Sequence, residues 1–378
     1  MSMIHRRRAL QNLAAGAAAL AAPVWAQSER RIVLGQSCAM SGAAAQLGLQ
    51  MNRGARIAFD AMNAAGGING HPIELRVMDD GYEPDRCKAN TEKLIGDDAF
   101  ALFGYVGTPT ALAALPLVNE ERIPFIGPFT GAEALRDPFS RNVFHVRASY
   151  YDETALIVKQ LTSLGLKKIA VFRQNDSYGQ AGLDGVVRAL KAQNLAPTAV
   201  GLVERNSVDV AAAVKAIVPT MPDAVVQISA YKSCAAFIRA ARKAGYGGTF
   251  YNVSFVGTQA LADELGKDGA GVVISQVMPF PFSTTTPISR EYLAAVQKAG
   301  GDATANYSSM EGYIAAKVLA EGLRRAGRNP SREALVTALE SMQRFDLGGY
   351  TCGFGPRDRA GSSFVELSML TGDGKVRR

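Results

Sequence analysis

Histidine, cysteine and tryptophan are scarce in this chain, and their scarcity limits the chemistry it can perform. The 378 residues include three histidines, four cysteines and one tryptophan. His71 falls in a predicted surface turn and His145 in a predicted strand, and neither belongs to a His-Glu-x-x-His zinc motif. The chain also lacks a Gly-x-Ser-x-Gly elbow, a phosphate-binding loop and a dinucleotide fingerprint after its first strand. We therefore predict no enzymatic activity, no catalytic residue, no metal and no cofactor.

The cysteines are far apart in the sequence and form no Cys-x-x-Cys pair, which argues against zinc and thioredoxin-like redox sites. They are Cys38, Cys87, Cys234 and Cys352. In an oxidising compartment they could form disulfides, and buried free thiols fit the same spacing. The sequence leaves their pairing open.

The one strongly apolar segment near the N-terminus, residues 13–22, is too short to span a bilayer. Three arginines precede it, and it is followed by Val24, Trp25 and Ala26. Small residues, Val24 and Ala26, occupy the positions that a signal peptidase recognises. This order predicts a signal peptide over residues 1–26, cleaved after Ala26, and a periplasmic protein. The alternative is a frayed helix of a cytosolic protein. Sec and twin-arginine export both fit.

Positive charge is in modest excess and is not concentrated. The net charge is +7, and loss of residues 1–26, with three arginines and no acid, leaves +4. The remaining lysines and arginines are interspersed with acids, without the basic face and interleaved aromatics of a nucleic-acid-binding protein. We therefore predict no nucleic-acid partner.

Strand-like and helix-like segments alternate along most of the chain. The first predicted set has strands at residues 32–40, 72–79, 99–106 and 123–127, with amphipathic helices between them. A second set of alternating strands and helices runs from residue 143 to residue 276. Such alternation predicts parallel sheets with helices on both faces. We therefore predict an α/β protein with two doubly wound parallel-sheet lobes.

The C-terminal part departs from this alternation. Helices are predicted at about residues 288–298, 309–325 and 332–341 without strands between them, and residues 348–354 and 364–370 are predicted to form a closing β-ribbon. Helices this late must pack on a lobe already formed, so the chain should cross between lobes more than once and form a multi-strand hinge. We assign residues 27–151 plus 279–347 to lobe 1 and residues 152–278 plus 348–378 to lobe 2.

Three loops that follow predicted strands of lobe 1 are rich in glycine, serine and threonine. They contain Ser41 with Gly42, residues 104–110, and residues 127–132. Ligands of open α/β sheets bind beyond the carboxyl ends of the strands, beside helix N-termini that favour anions. The convergence of the three loops predicts a carboxylate site, although each loop alone has the composition of an ordinary turn or helix cap.

Several segments resemble the leucine/isoleucine/valine-binding protein family, the type I periplasmic binding proteins that serve ABC importers. The opening segment GQSCAMSGAAAQLGLQMNRGARIAFDAMNAAGGING and the segment NDSYGQAG at residues 175–182 carry the most specific likeness. Residues 77–82, 104–116 and 311–316 extend it over nearly the whole chain after the signal. The resemblance implies the type I periplasmic binding protein fold.

The resemblance also implies roles for particular residues. Thr108, beside Gly107, matches the position that holds the ligand carboxylate. The next loop, which offers oxygens to the ligand's amino group, corresponds to Phe129, Thr130 and Gly131. Tyr178 matches the aromatic residue that closes from lobe 2, and Asp152 matches an acid near the lobe crossover.

One position departs from the family pattern. Ser254 stands where several members place a glutamate that pairs with the ligand's ammonium. Aromatic residues that could line the rest of the pocket, or serve only in packing, are Tyr105, Tyr150, Tyr231 and Phe280. The expected function is capture of a branched-chain or related amino acid for an inner-membrane ABC permease. A non-amino carboxylate, or a sensor role with the same fold, stays open.

Overall fold

The computed structural model describes residues 31–378, so the predicted signal peptide lies outside the described residues. Two large sheets organise this part of the chain, and a separate two-stranded ribbon occurs late in the sequence. None of the helices in residues 31–378 is long and apolar enough to cross a membrane.

The first sheet is entirely parallel, with the order β2-β1-β3-β4-β5. Its strands are β1 (Ile32–Cys38), β2 (Ile73–Asp79), β3 (Ala101–Phe103), β4 (Phe125–Ile126) and β5 (Val143–Phe144). Strand β1 is buried at all but one position. Burial on both faces is the reason its sequence does not alternate between apolar and polar residues. The two buried polar residues, Gln36 and Ser37, have hydrogen-bond partners in Gly104 and Asp80.

The second sheet has the order β14-β13-β10-β9-β8-β6-β7. Its strands are β6 (Ile169–Gln174), β7 (Val200–Val203), β8 (Ala224–Ile228), β9 (Thr249–Asn252), β10 (Val273–Gln276), β13 (Glu366–Leu370) and β14 (Val376–Arg377). Strands β6 to β10 pair in parallel, and β13 and β14 add an antiparallel edge. The chain therefore contains the two parallel-sheet lobes that the alternating pattern predicts.

Helices connect the strands and cover the sheets. They are α1 (Ala45–Ala64), α2 (Pro84–Gly96), α3 (Thr108–Glu120), α4 (Tyr150–Ser163), α5 (Ser177–Lys191), α6 (Ala211–Ile217), α7 (Tyr231–Lys243), α8 (Thr258–Leu265), α9 (Pro287–Ala299), α10 (Tyr307–Ala326) and α11 (Arg332–Glu340). Helix α5 begins after Asp176, whose carboxylate accepts hydrogen bonds from the N–H groups of Tyr178 and Gly179. Asp at this position accepts hydrogen bonds from two N–H groups that have no carbonyl partner within the helix.

The late helix α10 packs against α1 of the first lobe at very short range. A Cβ atom on Gly54 would lie 1.7 Å from the carbonyl oxygen of Ser309, and one on Gly312 would lie 2.1 Å from that of Met51. Only glycine permits two helix backbones to approach this closely. The contact attaches a C-terminal element to the N-terminal lobe, as the sequence predicts.

The predicted closing ribbon is wrong in its pairing. Strand β12 (Thr351–Cys352) pairs with β11 (Phe345–Asp346), whereas β13 pairs with β10 and β14. Between them, His145 donates its backbone N–H to Arg359 and accepts one from Gly361. Long-range pairing with the sheet and with the hinge therefore separates the two segments that looked like one ribbon.

The chain passes between the sheets three times, after β5, after β10 and after β12. The lobes also touch directly, since the Gln174 side-chain amide donates to the Tyr82 hydroxyl at 3.2 Å. Arg205 and Glu83 form an ion pair of 2.9 Å across the same boundary. The structure is thus a closed arrangement of two lobes on a hinge with several strands.

All four cysteines are buried free thiols. Burial raises the pKa of each thiol, so that they stay protonated and inert at neutral pH.

Candidate functional site

The strand orders locate a crevice in each lobe. In the first sheet the order reverses between β1 and β3, and in the second between β6 and β8. Ligands of doubly wound sheets bind beyond the carboxyl ends of the strands at such a switch point. The loops that follow β2, β4, β6 and β9 meet where the two lobes face each other, because their aromatic side chains are in contact.

Three hydroxyl groups lie together at the N-terminus of α3. Thr108 Oγ1 is 2.6 Å from Thr130 Oγ1, which donates to the Tyr150 hydroxyl over 3.3 Å. Gly107 precedes the helix with a φ of 107°, and a Cβ atom there would lie 2.2 Å from the Tyr82 ring. Among residues 31–378, no side chain caps this helix start. Its first N–H groups and these hydroxyls form a suitable environment for a carboxylate.

Five buried aromatic rings occupy the cleft. Tyr82 and Phe129 follow strands of the first sheet, Tyr178 and Phe255 follow strands of the second, and Tyr150 begins the crossing helix α4. Phe255 is central, with ring centroids 4.5 Å from Tyr178, 5.7 Å from Phe129 and 5.8 Å from Tyr82. The Tyr178 hydroxyl is fully buried and has no hydrogen-bond partner among the described residues. A buried hydroxyl of this kind lacks the partner that such groups nearly always have.

A buried ion cluster borders the same cleft. The guanidinium of Arg147 lies 4.8 Å above the centre of the Phe129 ring and donates from Nη2 to the hydroxyl of Ser254. Its Nη2 is 3.7 Å from Glu153 Oε1, and its Nε is 3.6 Å from Glu311 Oε1. Nε and Nη1 of Arg147 have no hydrogen-bond partner in residues 31–378.

Burial and the neighbouring charges shift the pKa values of all three charged groups in the cluster. Desolvation raises the pKa of Glu153, although Arg147 and hydrogen bonds from Ser275 and Ser254 oppose the rise. Desolvation also raises the pKa of Glu311 to about 7, against the attraction of Arg147. Desolvation disfavours the charge of Arg147 as well, but the two carboxylates together raise its pKa. Arg147 therefore stays charged between two acids.

Most of the predicted site residues are brought together. Thr108, Thr130, Phe129 and Tyr178 lie in the hydroxyl group or the aromatic cluster described above, with Gly107, Gly131 and Ser254 beside them. The Gly131 carbonyl accepts from the Tyr150 N–H at 2.8 Å. Tyr231 is buried at the start of α7, with its hydroxyl at the backbone of Gln46 across the lobe boundary.

Ser41, Tyr105 and Phe280 do not join this group. Ser41 is exposed and its hydroxyl bonds to the Asp79 carboxylate. Tyr105 packs 5.0 Å from the Phe125 ring in a separate core cluster, and its hydroxyl accepts from Thr91 at 3.1 Å. Phe280 packs beside Phe282 and Tyr307. Tyr105 is the clear correction, because its side chain turns toward the helices behind the sheet.

Asp152 is also not where the resemblance implies. It is exposed and forms a capping box with Ser149, accepting that residue's N–H at 3.0 Å and its hydroxyl at 2.8 Å. The acid that reaches the crossover is its neighbour Glu153. Glu153 accepts from the Ser254 N–H at 2.7 Å and from the Ser254 hydroxyl at 3.0 Å. A carboxylate therefore lies beside the serine that stands in the place of the family's glutamate.

Asp152→Asn is expected to leave ligand affinity within twofold of the native value and to lower the free energy of unfolding by about 0.5–1 kcal/mol, as expected for a weakened cap. Isothermal titration with L-leucine and urea unfolding measure the two effects. Glu153→Gln is the matched control and should be the more destabilising change. A tenfold loss of leucine affinity in Asp152→Asn would show that this carboxylate does contact the ligand.

Sequence reasoning missed Arg147, Glu153, Glu311, Tyr82 and Phe255. A signal for Glu153 was present, since the buried positions of α4 keep helical spacing through Tyr150, Glu153 and Ile157. Asp152 lies off that face. Residue spacing does not show that Arg147 and Glu311 meet, because these two residues are distant in the sequence.

The fold and the cleft define a two-lobed solute-binding protein. The family model described as periplasmic binding protein matches residues 31–373. The chain belongs to this family and, within it, is a type I periplasmic binding protein of the Leu/Ile/Val-binding protein family. Membership implies a periplasmic location and a substrate-binding role.

Individual relatives support this assignment. A Leu/Ile/Val-binding protein homolog 7 of Brucella suis biovar 1 is 26% identical over 358 residues, covering 90% of this chain and 88% of the relative. The crystal structure of a possible leucine/isoleucine/valine-binding protein from Rhodopirellula baltica SH 1 has a TM-score of 0.89 and 35% identity, covering 94% of this chain and 97% of that one. A fatty acid ABC transporter substrate-binding protein from Thermomonospora curvata shares the fold, with a TM-score of 0.81 and 21% identity over 91% of this chain and 90% of that one.

Proposed function

We propose that this protein captures a small amino acid, branched-chain or related, between its two lobes and delivers it to an inner-membrane ABC importer. The observation that carries the proposal is the composition of the cleft. The Thr108–Thr130 hydroxyl pair of one lobe is hydrogen-bonded to Tyr150, whose ring centroid is 5.4 Å from that of Tyr178 in the other lobe. The Tyr178 hydroxyl has no partner among the described residues. The names of the Brucella and Rhodopirellula relatives support the choice of ligand class.

The two halves of the cleft have different tasks in this proposal. The start of α3 and its hydroxyls hold the ligand carboxylate, while Tyr178 and Phe255 close over it from the second lobe. Because residues of both lobes contact the ligand, binding stabilises the closed state. The lobe boundaries given above, export by cleavage after Ala26 and the absence of catalysis are parts of the same proposal.

A thermal-shift screen of ligand-free protein against amino acids and simple carboxylates tests the proposal. A ligand that binds only the folded protein at a hundredfold excess over its Kd stabilises it by about 2.7 kcal/mol, which gives a clear rise in melting temperature. We expect a stoichiometric response to L-leucine or a related amino acid, with the ligand recovered unchanged by mass spectrometry. Recovery of a chemically altered ligand, or no response to any amino acid, would contradict the proposal.

A non-amino carboxylate is the second candidate, and the serine at position 254 is the observation that favours it. The family's ammonium-pairing glutamate is absent at that position, and the Thermomonospora neighbour is described as a fatty acid binder. The same screen separates the candidates, since a plain acid would then raise the melting temperature more than its amino counterpart.

A further inference from the structure

Two short segments beside the aromatic cluster join the lobes through polar contacts. Residues 81–83 follow β2 of the first sheet, and residues 204–206 follow β7 of the second. Asn206 donates from Nδ2 to the Gly81 carbonyl at 3.1 Å and to Glu83 Oε1 at 2.8 Å. Arg205 donates from Nη2 to Glu83 Oε2 at 2.9 Å. These four residues, Gly81, Glu83, Arg205 and Asn206, are called the rim group below.

The first-lobe half of the rim group is held in place by its own lobe. Gly81 and Tyr82 both have left-handed backbone, with φ of 58° and 64°, a conformation that glycine adopts freely and tyrosine rarely. The Gly81 N–H donates to Asp79 Oδ1 at 2.9 Å, and the Tyr82 N–H donates to Oδ1 of the buried Asp80 at 2.8 Å. The turn that places Tyr82 in the cleft therefore also presents the Gly81 carbonyl and the Glu83 carboxylate to the second lobe.

The second-lobe half is connected to a residue of the cleft. Arg205 Nη1 is 3.4 Å from Oδ2 of Asp176, in its own lobe, while Nη2 reaches Glu83 in the other. Oδ1 of Asp176 accepts hydrogen bonds from the N–H groups of Tyr178 and Gly179. The cation that joins the lobes is thus bound to the carboxylate that caps the helix of Tyr178, without being part of the carboxylate site at α3.

The exposure of the rim group divides it into two parts. The side chains of Glu83 and Arg205 are 43% and 24% exposed, so dissolved salt screens their attraction. The hydrogen bond from the Asn206 amide to the Gly81 carbonyl joins two neutral groups and is not screened in this way. Both parts connect protein to protein.

We infer that the rim group is an interlobe latch, which stabilises the closed state through contacts separate from the ligand site and makes closure sensitive to ionic strength. The proposed function assigns closure to the ligand. The latch adds a contribution that is present with or without a ligand and that does not depend on which ligand binds. High ionic strength should therefore weaken closure and shorten the time for which a ligand is held.

Double electron–electron resonance on the mature protein tests the latch. Nitroxide labels at Lys88→Cys of α2 and Lys215→Cys of α6 report the distance between the lobes, because both positions are exposed and their helices pack on different sheets. The four native cysteines are buried and should stay unlabelled. Ligand-free protein in about 50 mM NaCl, where screening is weak, should show an open and a closed distance, with about a tenth of the molecules or more closed.

Two substitutions remove the two parts of the latch separately. Glu83→Gln deletes the ion pair and should raise the ratio of open to closed molecules by about two- to fivefold, as expected for a partly exposed pair. Asn206→Gly deletes the amide hydrogen bonds and leaves the backbone unstrained, because glycine adopts the φ of 60° found at this position. It should raise the ratio by about two- to tenfold.

Salt provides a second readout of the same latch. Raising NaCl to about 1 M should shift the native protein toward the open distance by about two- to fivefold and should change Glu83→Gln much less. Glu74→Gln is the matched control. Glu74 pairs with Arg76 at 2.8 Å with side chains 33% and 39% exposed, but both residues belong to β2 of one lobe. It should leave the distances and their salt response as in the native protein.

The outcomes separate the latch from the proposed function. If ligand-free native protein shows only the open distance, or if Glu83→Gln and Asn206→Gly behave as Glu74→Gln does, the inference is overturned. L-leucine added to the same samples tests the proposed function. A shift to the closed distance supports leucine capture, whereas no shift counts against it and leaves the ligand-free evidence for the latch intact.

Discussion

Arg147→Met is expected to lower the free energy of unfolding by about 3–5 kcal/mol at pH 8, the largest effect of any single change considered. Methionine fills a similar volume, so the loss is one of charge and not of packing. Arg147 is the cation that two buried carboxylates share, at 3.7 Å from Glu153 and 3.6 Å from Glu311. Removing one partner of a buried ion pair leaves uncompensated charge in a medium that solvates it poorly.

The loss should depend on pH with a definite sign. Burial already raises the pKa of both acids, and loss of Arg147 raises it further. A carboxyl with a raised folded-state pKa binds its proton more tightly in the folded protein, so it destabilises the fold when the pH is above that pKa. Urea unfolding should therefore show a smaller difference from the native protein at pH 5 than at pH 8.

An exposed arginine with two acidic partners is the matched control. Arg239 is 3.1 Å from Asp268 and 3.9 Å from Glu264, with 46% of its side chain exposed. Arg239→Met should cost less than about 1 kcal/mol, because solvent screens such pairs. Adding Glu153→Gln and Glu311→Gln to Arg147→Met should recover part of the stability. An equal, small loss in both arginine variants would mean that the Arg147 cluster is solvated.

The fold was predictable because its signals are local. Alternation of apolar strands with amphipathic helices predicts parallel sheets, and the apolar residues of α1 mark its buried face. Strand ends were less predictable. Strand β3 covers only Ala101–Phe103 of the predicted residues 99–106, since Gly104 turns the backbone out of the strand at a φ of 61°. A glycine in the sequence shows that such a turn is allowed, not that it occurs.

The pairing of β13 with β10 was not predictable for a different reason. The sequence shows that residues 366–370 favour a strand, but the partner is about 90 residues away and no turn residues connect the two. Only the assembled second sheet offers the free edge on which β13 adds.

The two halves of the candidate site also differ in whether a local sequence pattern could predict them. Thr108 stands at a strand end that opens a helix, so its position follows from local pattern. Arg147 meets Ser254 and Glu311 through contacts that span 107 and 164 residues of sequence. Spacing carries no information about such contacts. The resemblance to the family assigned the acid to Asp152, whereas the acid that contacts Ser254 is Glu153.

Thr108→Ala is expected to weaken binding of L-leucine, or of whichever small carboxylate the screen identifies, by ten- to a hundredfold. The lost hydrogen bond is to a charged group that closure desolvates, and such bonds contribute about 1.5–3 kcal/mol. The fold should persist. Thr108 does not cap α3, and Thr130 keeps its hydrogen bonds with the Tyr150 hydroxyl and the Ala132 N–H after the change.

Thr110→Ala is the control that isolates the position of the hydroxyl. Thr110 belongs to the same first turn of α3 and is equally buried, but its hydroxyl donates to the carbonyl groups of Val106 and Gly107 in its own loop. It should alter stability and leave ligand affinity within about threefold. Titration of both variants distinguishes a carboxylate contact from a general disturbance of the loop. If Thr108→Ala keeps the native affinity, the ligand carboxylate must bind in another part of the cleft. If both variants lose affinity equally, the shape of the loop, and not the Thr108 hydroxyl, determines binding.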